Sequence, residues 1–513
     1  MNSMTRQADT AYDQLCDHLR ETALLGSVES LLGWDERTKM PVRAGPYRAD
    51  QTALLAGIVH GRRTDPRIAD WLAELEASPL AEDLHSDAGT VIRRTRWDYD
   101  KQVKIPQALV EEISRTTTLG QQTWVEARKD NDFASLAPVL DRIITLKREQ
   151  AEAVGYEETP YDALLDDFEP GETTANVCHI LEALRADLVP LVAAIAESPS
   201  QPETSILNRD YPVDIQEQFG TEVATRVGFD FERGRLDTTH HPFCTGLGPD
   251  DCRITTRYEP TFFSSAFFGI LHEAGHGFYE LGMRNEWHGL PPGTCTSLGI
   301  HESQSRFWEN MVGRSRAFWD WCLPHAQQHF PGSLGDVEPG ELYFAVNAVK
   351  PSLIRVEADE VTYNLHIIIR FELEQAMIAG DLVAADLPAA WNEKYQDSLG
   401  ITPPDDTDGV MQDIHWSAGL IGYFPTYSLG NLYAAQFLAA ATAELGDIGE
   451  MVGQGQFEPL QEWMGRNIHH HGQCFSAAEL VARATGQPLS HEPLVNYLKN
   501  KLLPLYGLAP EPA

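Results

Sequence analysis

Positive charge is scarce in this sequence. Lysine and arginine together number 39, against 76 aspartates and glutamates, for a formal net charge of -37. Nucleic acid and anionic membrane surfaces both repel such a chain, so neither is expected as a partner. Long hydrophobic runs are missing as well, and no uninterrupted apolar stretch is long enough to span a bilayer. The N-terminal residues are mixed and charged, without the basic start and apolar run of a secretion signal. Cysteine is sparse and dispersed, at Cys16, Cys178, Cys244, Cys252, Cys295, Cys322 and Cys474, with no Cys-x-x-Cys pair. That odd set does not form a disulfide framework. The expectation is a soluble, cytoplasmic protein. Strand signals, internal repeats and low-complexity tracts are also rare or lacking.

Helical periodicity fills most of the chain. Leu15, Leu19, Val28, Leu31 and Leu32 recur at three- and four-residue spacings around Tyr12 to Trp34. Ala53, Leu54, Ile58 and Val59 follow after Pro46, and Leu136, Val139, Leu140, Ile143 and Ile144 repeat the pattern, with Ser135 as the expected N-cap. Each stripe reads as core. The stretch from Val361 to Ala379 is free of Gly and Pro and apolar on one side. The clearest strand is Arg253 to Tyr258, after a turn at Gly248 to Asp251, and Phe229 to Leu236 reads as a segment able to pair with a neighbour. Gly289 to Thr296 and Ile401 to Gly409 read as loops. The fold class is therefore mostly α, with a small β element before the motif described next.

That motif is His272-Glu273-x-x-His276, inside FFGILHEAGHGFYEL. Two histidines four residues apart on a helix share a face, with Cβ atoms about 5–6 Å apart. They can close on one zinc ion at roughly 2.0–2.1 Å per Zn–N contact. Glu273, the next residue along, is placed to activate water as a general base. Gly275 and Gly277 keep this turn slim, which predicts room for a ligand beside the metal. An accidental match on a buried helix is the bland alternative, and a structural zinc site is disfavoured because such sites close with four protein ligands, often Cys. Glu302, in GIHESQSRFWEN, is the candidate third ligand on a second helix, and its competing role is a salt bridge to Arg306. His469, His470 and His471 are consecutive, so a helix splays them apart, and they read as surface or structural residues. Two His and one Glu accept one divalent ion per chain, zinc first and cobalt second.

Around this motif the chain resembles the thermostable-carboxypeptidase-type metallocarboxypeptidases, peptidase family M32. The resemblance is carried by His241 to Phe243 (HPF), Asp251 to Thr255 (DCRIT), His272 to His276 (HEAGH) and His301 to Gln304 (HESQ). It continues with Ile354 to Asp359 (IRVEAD) and Gly409 to Trp416 (GVMQDIHW), and LLGWDERTKMP and YDALLDDFEPG support it. It implies a large helical zinc-peptidase fold with a deep substrate groove, working as one catalytic unit over residues 1–513. An N-terminal helical part runs to about residue 200, and the metal-site part follows from about 201. It also implies a homodimer, release of single residues from peptides with a free C-terminus, metal binding by His272, His276 and Glu302, and water activation by Glu273. The layout is similar to that of neurolysin and angiotensin-converting enzyme. Those proteins carry an acidic residue four positions after the third ligand. Arg306 stands there in this sequence, so the histidines must draw support from elsewhere.

A C-terminal exopeptidase must grip a carboxylate, and arginine matches one with two hydrogen bonds. Arg355 and Arg253 are the candidates. Their competing roles are internal pairs, Arg355 with Asp359 and Arg253 with Asp251. Tyr423 resembles the family's donor to the oxyanion, with Tyr427 as its rival, and His241 and His415 are candidate substrate contacts or core histidines. Strand addition of the substrate beside Arg253 to Tyr258 is a further expectation. The rival functions are a clefted zinc endopeptidase, a dipeptide-releasing carboxypeptidase and a non-catalytic peptide-binding protein.

Overall fold

Several helices begin or end where the chain supplies a partner for their unpaired backbone groups. Asn131, at a left-handed φ of 52°, closes helix Gln107–Asp130, and Asp132 then accepts from the Ser135 N–H to open helix Phe133–Val154. The cap is thus Asp132, and Ser135, expected in that role, lies in the first turn. The computed structural model describes residues 3–508, with side chains from Ala8 onward. Among the described residues no helix is long and apolar enough to cross a membrane.

The periodic stripes mark helices correctly but do not all mark core. Leu136, Leu140, Ile143 and Ile144 are buried as expected. In helix Ser3–Thr38, Leu15 is buried, while Val28 and Leu31 are exposed. In helix Gly45–Arg63, Leu54 and Ile58 are exposed and Val59 is buried. Periodicity reports which residues share a helix face. It does not report whether another element covers that face.

The chain divides into two compact units. One takes in residues up to Val103, Glu203–Val346 and Phe437–Pro488, and the other takes in Lys104–Pro202, Asn347–Gln436 and the residues from Leu489 on. The first unit contains the three-stranded sheet, β1 (Gly234–Thr238), β2 (Cys244–Gly248) and β3 (Asp251–Thr256), in the order β1-β3-β2. β1 runs parallel to β3 and β2 antiparallel to it, through a turn in which Asp250 takes a φ of 62°. β3 is therefore the central strand, with both edges hydrogen-bonded. A substrate backbone cannot add there, which overturns the expectation of strand addition at this segment.

Next comes helix Phe263–Gly282, which buries Phe263, Phe267, Phe268, Ile270, Leu271 and Phe278. Each such side chain contributes about 1.5–3 kcal/mol on burial. Its glycines serve packing rather than ligand space. A Cβ on Gly275 would lie 2.5 Å from the Gln304 carbonyl oxygen and 2.6 Å from Ser305 Cα, in helix Leu298–Arg306. A Cβ on Gly277 would lie 2.6 Å from the Phe229 ring. Gly275 thus brings two helix backbones close together.

The second unit contains helix Thr362–Ala379. The Asp359 carboxylate accepts from the N–H groups of Val361 and Thr362 at its start, and Gly380 closes it at a φ of 92°. This helix is buried nearly all round, rather than on one side. Several of its polar side chains find partners: Asn364 accepts from Ser428 and Asn431, Arg370 donates to Asp413, and Glu374 accepts from Tyr161, Trp416 and the Gly422 N–H.

Candidate metal centre

Within the first unit, the helical four-residue spacing places His272 and His276 on one face of helix Phe263–Gly282. Ser297 caps the next helix by accepting from the Ile300 N–H, and the Gly275 contact holds that helix close enough for Glu302 to face both rings. Glu302 Oε2 lies 3.4 Å from His276 Nε2 and 3.8 Å from His272 Nε2. These three side chains form a group whose ligand atoms all lie within 4.8 Å of one another. Two ligands on a tetrahedral zinc ion, each bound at roughly 2.0–2.2 Å, are about 3.3–3.5 Å apart.

The rings are oriented for this role. His272 Nδ1 lies 2.8 Å from Glu309 Oε2, and His276 Nδ1 lies 3.1 Å from the His301 carbonyl oxygen. With acceptors at both Nδ1 positions, the protons belong there, and both Nε2 lone pairs point toward Glu302. Two lone pairs and a carboxylate facing one another make an acceptor-only cage, and the group that fits it is a cation.

The charges agree at His276 and Glu302, whereas at His272 burial is outweighed by the Glu302 and Glu309 charges, which raise the ring, so a cation there would displace a proton. Burial pushes His276 down to about 4, so its ring is neutral. Burial also opposes ionisation of Glu302, but Arg306 and the two histidines outweigh it and hold the carboxyl well below its usual range. The competing ion pair with Arg306 exists alongside the metal geometry. Arg306 Nε donates to Oε1 at 2.7 Å, and Oε2 is the oxygen that faces the rings. Glu273 is buried and makes no hydrogen bond to any described residue, and burial followed by the nearby Glu302 charge pushes it up to about 7.

The residue that supports His272 was absent from the sequence reading. Glu309 follows Glu302 by seven positions, a spacing that returns to the same helix face, and it sits in a π-helical stretch, Phe307–Val312. Burial alone would raise Glu309, yet the hydrogen bond to His272 and the charges of Arg306 and Arg314 bring it to about 2. The signal was present in the spacing. It lies beyond the fourth position, where Arg306 stands in place of an acid.

The other predicted residues fall into separate places. His241 is exposed, in the segment between β1 and β2. Arg253 is held by Asp251 through two 3.0 Å hydrogen bonds, and its guanidinium lies 4.3 Å over the Trp34 ring. The internal pair anticipated for Arg253 is thus formed. In the second unit Arg355, His415, Tyr423 and Tyr427 come together. Arg355 lies 5.0 Å over the Tyr427 ring, His415 Nε2 is 3.3 Å from the Tyr427 hydroxyl, and the His415 and Tyr423 ring centroids are 5.5 Å apart. Arg355 does not pair with Asp359, which caps a helix instead. Its partner is Asp413, whose Oδ1 accepts at 3.1 and 2.7 Å, while Oδ2 accepts from Arg370 at 2.7 Å. Asp413, within the GVMQDIHW motif, was not singled out from the sequence. His469 is buried and bonded to Gln304 at 2.8 Å, a structural role as expected.

Comparison with known proteins adds an independent line of evidence. The family model described as carboxypeptidase Taq (M32) metallopeptidase matches residues 14–502. Thermostable carboxypeptidase 1 of Thermus thermophilus is 47% identical over 509 residues, covering 97% of this chain and 99% of the relative. Carboxypeptidase 1 of Bacillus subtilis is 36% identical over 492 residues, covering 96% of this chain and 98% of the relative. The crystal structure of the M32 carboxypeptidase from Deinococcus radiodurans superposes with a TM-score of 0.94 at 41% identity, over 97% of this chain and 100% of that one.

Proposed function

Because the chain belongs to the carboxypeptidase Taq (M32) family of metallopeptidases, we propose that it hydrolyses the last peptide bond of peptides with a free C-terminus, releasing one amino acid at a time. The activity is that of a metallocarboxypeptidase, a peptide hydrolase, and the whole chain serves as one catalytic unit. The observation that carries the chemistry is the acceptor-only cage of His272, His276 and Glu302 with the uncommitted Glu273 carboxylate beside it. When bound there, a divalent cation, zinc before cobalt, polarises the scissile carbonyl and acidifies water.

Glu273 takes the proton of the attacking water and returns it to the leaving amine. Burial pushes this carboxyl up to about 7, and a cation held in the cage would draw it back toward the ionised form that a base requires. Tyr423 donates a hydrogen bond to the oxyanion, with His415 and Tyr427 in the same cluster. Arg355 holds the substrate carboxylate. Two guanidinium groups, Arg355 and Arg370, share the single Asp413 carboxylate, and burial drives the neighbouring His415 down to about 4 and so keeps it neutral. While the neighbouring Glu374 carboxyl, raised to about 7 by burial, is protonated, that leaves a buried positive charge for a carboxylate to neutralise. The protein works as a homodimer in the cytoplasm.

Metal analysis and digestion of a defined peptide on the same sample test this reading. The expected result is one equivalent of zinc per chain and a mass ladder losing one C-terminal residue per step. Internal cuts, or losses in pairs, support an endopeptidase or a dipeptide-releasing enzyme instead. Bound zinc without any hydrolysis supports a peptide-binding protein. Glu273→Gln should keep the metal and lose activity, and full activity in that variant removes Glu273 as the base.

A further inference from the structure

His276 is held by more than a backbone carbonyl. The two Nδ1 atoms of His276 and His301 lie 2.6 Å apart, and the rings meet edge to edge, with centroids 4.6 Å apart and planes inclined by 28°. On its far side His301 Nε2 lies 2.7 Å from Glu280 Oε1. Glu280 follows His276 by one helical turn, so His301 bridges two residues on the same helix face. The carboxylate has a built seat. A Cβ on Gly246, in β2, would lie 2.4 Å from Glu280 Oε2, so only glycine leaves that oxygen in place.

Proton bookkeeping along this chain gives one arrangement that leaves a ligand lone pair. Two nitrogens 2.6 Å apart hold one proton between them, because two protons clash and two lone pairs repel. The Glu280 carboxylate is an acceptor, so His301 Nε2 carries a proton. His276 Nε2 keeps a lone pair only when His301 Nδ1 is the acceptor of the shared proton. The shared proton belongs to His276 Nδ1, and His276 Nε2 is left as a lone pair facing Glu302. Carboxylate, imidazole and imidazole thus transmit one tautomer to the metal ligand.

We propose that His301 and Glu280 are positioning residues that set the tautomer and orientation of His276 for metal binding, in parallel with the support Glu309 gives His272. Two neighbouring residues of the HESQ motif then serve one ion: Glu302 directly, and His301 through His276. This inference rests on His276 being a metal ligand, as proposed above. Partners of this kind change metal affinity by about 10–100-fold.

The test measures zinc affinity of the metal-stripped full chain by competition with a chromophoric chelator, and the visible absorption spectrum of the cobalt-loaded protein. His301→Phe keeps an aromatic ring and removes both nitrogens. It should weaken zinc binding by about 10–100-fold and alter the cobalt spectrum. His301→Asn restores an acceptor near the Nδ1 position and should recover much of the loss. Gly246→Ala should push the Glu280 carboxylate aside and weaken binding in the same direction from outside the hydrogen-bonded chain. Native affinity and spectrum in a folded His301→Phe protein overturn the proposal and leave the His301 carbonyl, 3.1 Å away, as sufficient support. If His301→Phe does not fold, Gly246→Ala and Glu280→Gln decide, and native zinc affinity in both overturns it. Failure of the native chain to bind zinc, or native binding in His272→Ala, instead refutes the metal site itself.

Discussion

Arg355→Ala separates a substrate clamp from an internal ion pair. Ordinarily, deleting one partner of a buried pair strands the other charge and costs about 3–5 kcal/mol. Here Asp413 keeps Arg370, whose Nε donates at 2.7 Å to Oδ2, so the carboxylate is not orphaned. The losses are the two hydrogen bonds to Asp413 Oδ1, the one to the Tyr363 hydroxyl, and the packing over the Tyr427 ring. A stability loss of about 2–4 kcal/mol is expected, which a large chain tolerates. The effect on catalysis is separate. A charged hydrogen bond to a substrate carboxylate is worth about 1.5–3 kcal/mol. At about 1.4 kcal/mol per tenfold, kcat/KM on free-acid peptides should fall by roughly ten to a hundredfold. The assay compares kcat/KM for one peptide as the free acid and as the C-terminal amide, with zinc content and melting temperature measured in parallel. The preference of the native protein for the free acid should shrink by that factor while zinc stays bound. Arg355→Lys, which keeps the charge and loses the fork, should fall between. An equal loss on both substrates, with zinc and fold intact, returns Arg355 to a structural partner of Asp413.

Three other outcomes follow from the geometry. Glu309→Gln replaces the charged acceptor of His272 Nδ1 with a neutral one and should weaken zinc affinity by about tenfold or more in a chelator competition, and unchanged affinity removes Glu309 from the site. Gly275→Ala drives a Cβ into the backbone of Gln304 and Ser305, so both melting temperature and zinc content should drop as Glu302 moves from the histidines, whereas a stable, zinc-replete variant contradicts the packing argument. Burial raises Glu374 from 4.5 to about 7. A carboxyl raised in the folded state contributes stability that is present below its unfolded pKa and is lost as pH rises through about 7, by at most about 3 kcal/mol. Glu374→Gln should therefore flatten the change in stability between pH 5 and pH 8 relative to the native protein, as read by denaturant unfolding at both pH values.

How far the site could be read from the sequence depended on whether its parts are local. His272, Glu273 and His276 were legible because one helical turn fixes their relation, and Glu302 because a buried acid near that motif needs a counter-charge. The small β element was legible in composition, but its order was not. That β3 is central depends on β1 returning parallel to it, a long-range pairing that no local pattern encodes. The same limit explains Arg355. Asp359 is four residues away and was the natural partner by spacing, yet its carboxylate is engaged by the N–H groups of Val361 and Thr362, and Asp413 reaches Arg355 from a distant segment.

The glycines carry the remaining lesson. Gly275 and Gly277 had a reasonable reading as space for a ligand, since a missing side chain leaves a hole. In the folded protein both holes are filled, by the backbone of helix Leu298–Arg306 and by the Phe229 ring. Filling the first of them is what lets the candidate metal ligands meet. Glu302 reaches the histidines because its helix lies against Gly275 without an intervening Cβ. Gly246 does the same for the Glu280 carboxylate behind His301. Absent side chains therefore set the spacing of this centre as firmly as the ligands define its chemistry. A motif search that scores only the histidines and glutamates overlooks the residues that determine whether those groups can meet.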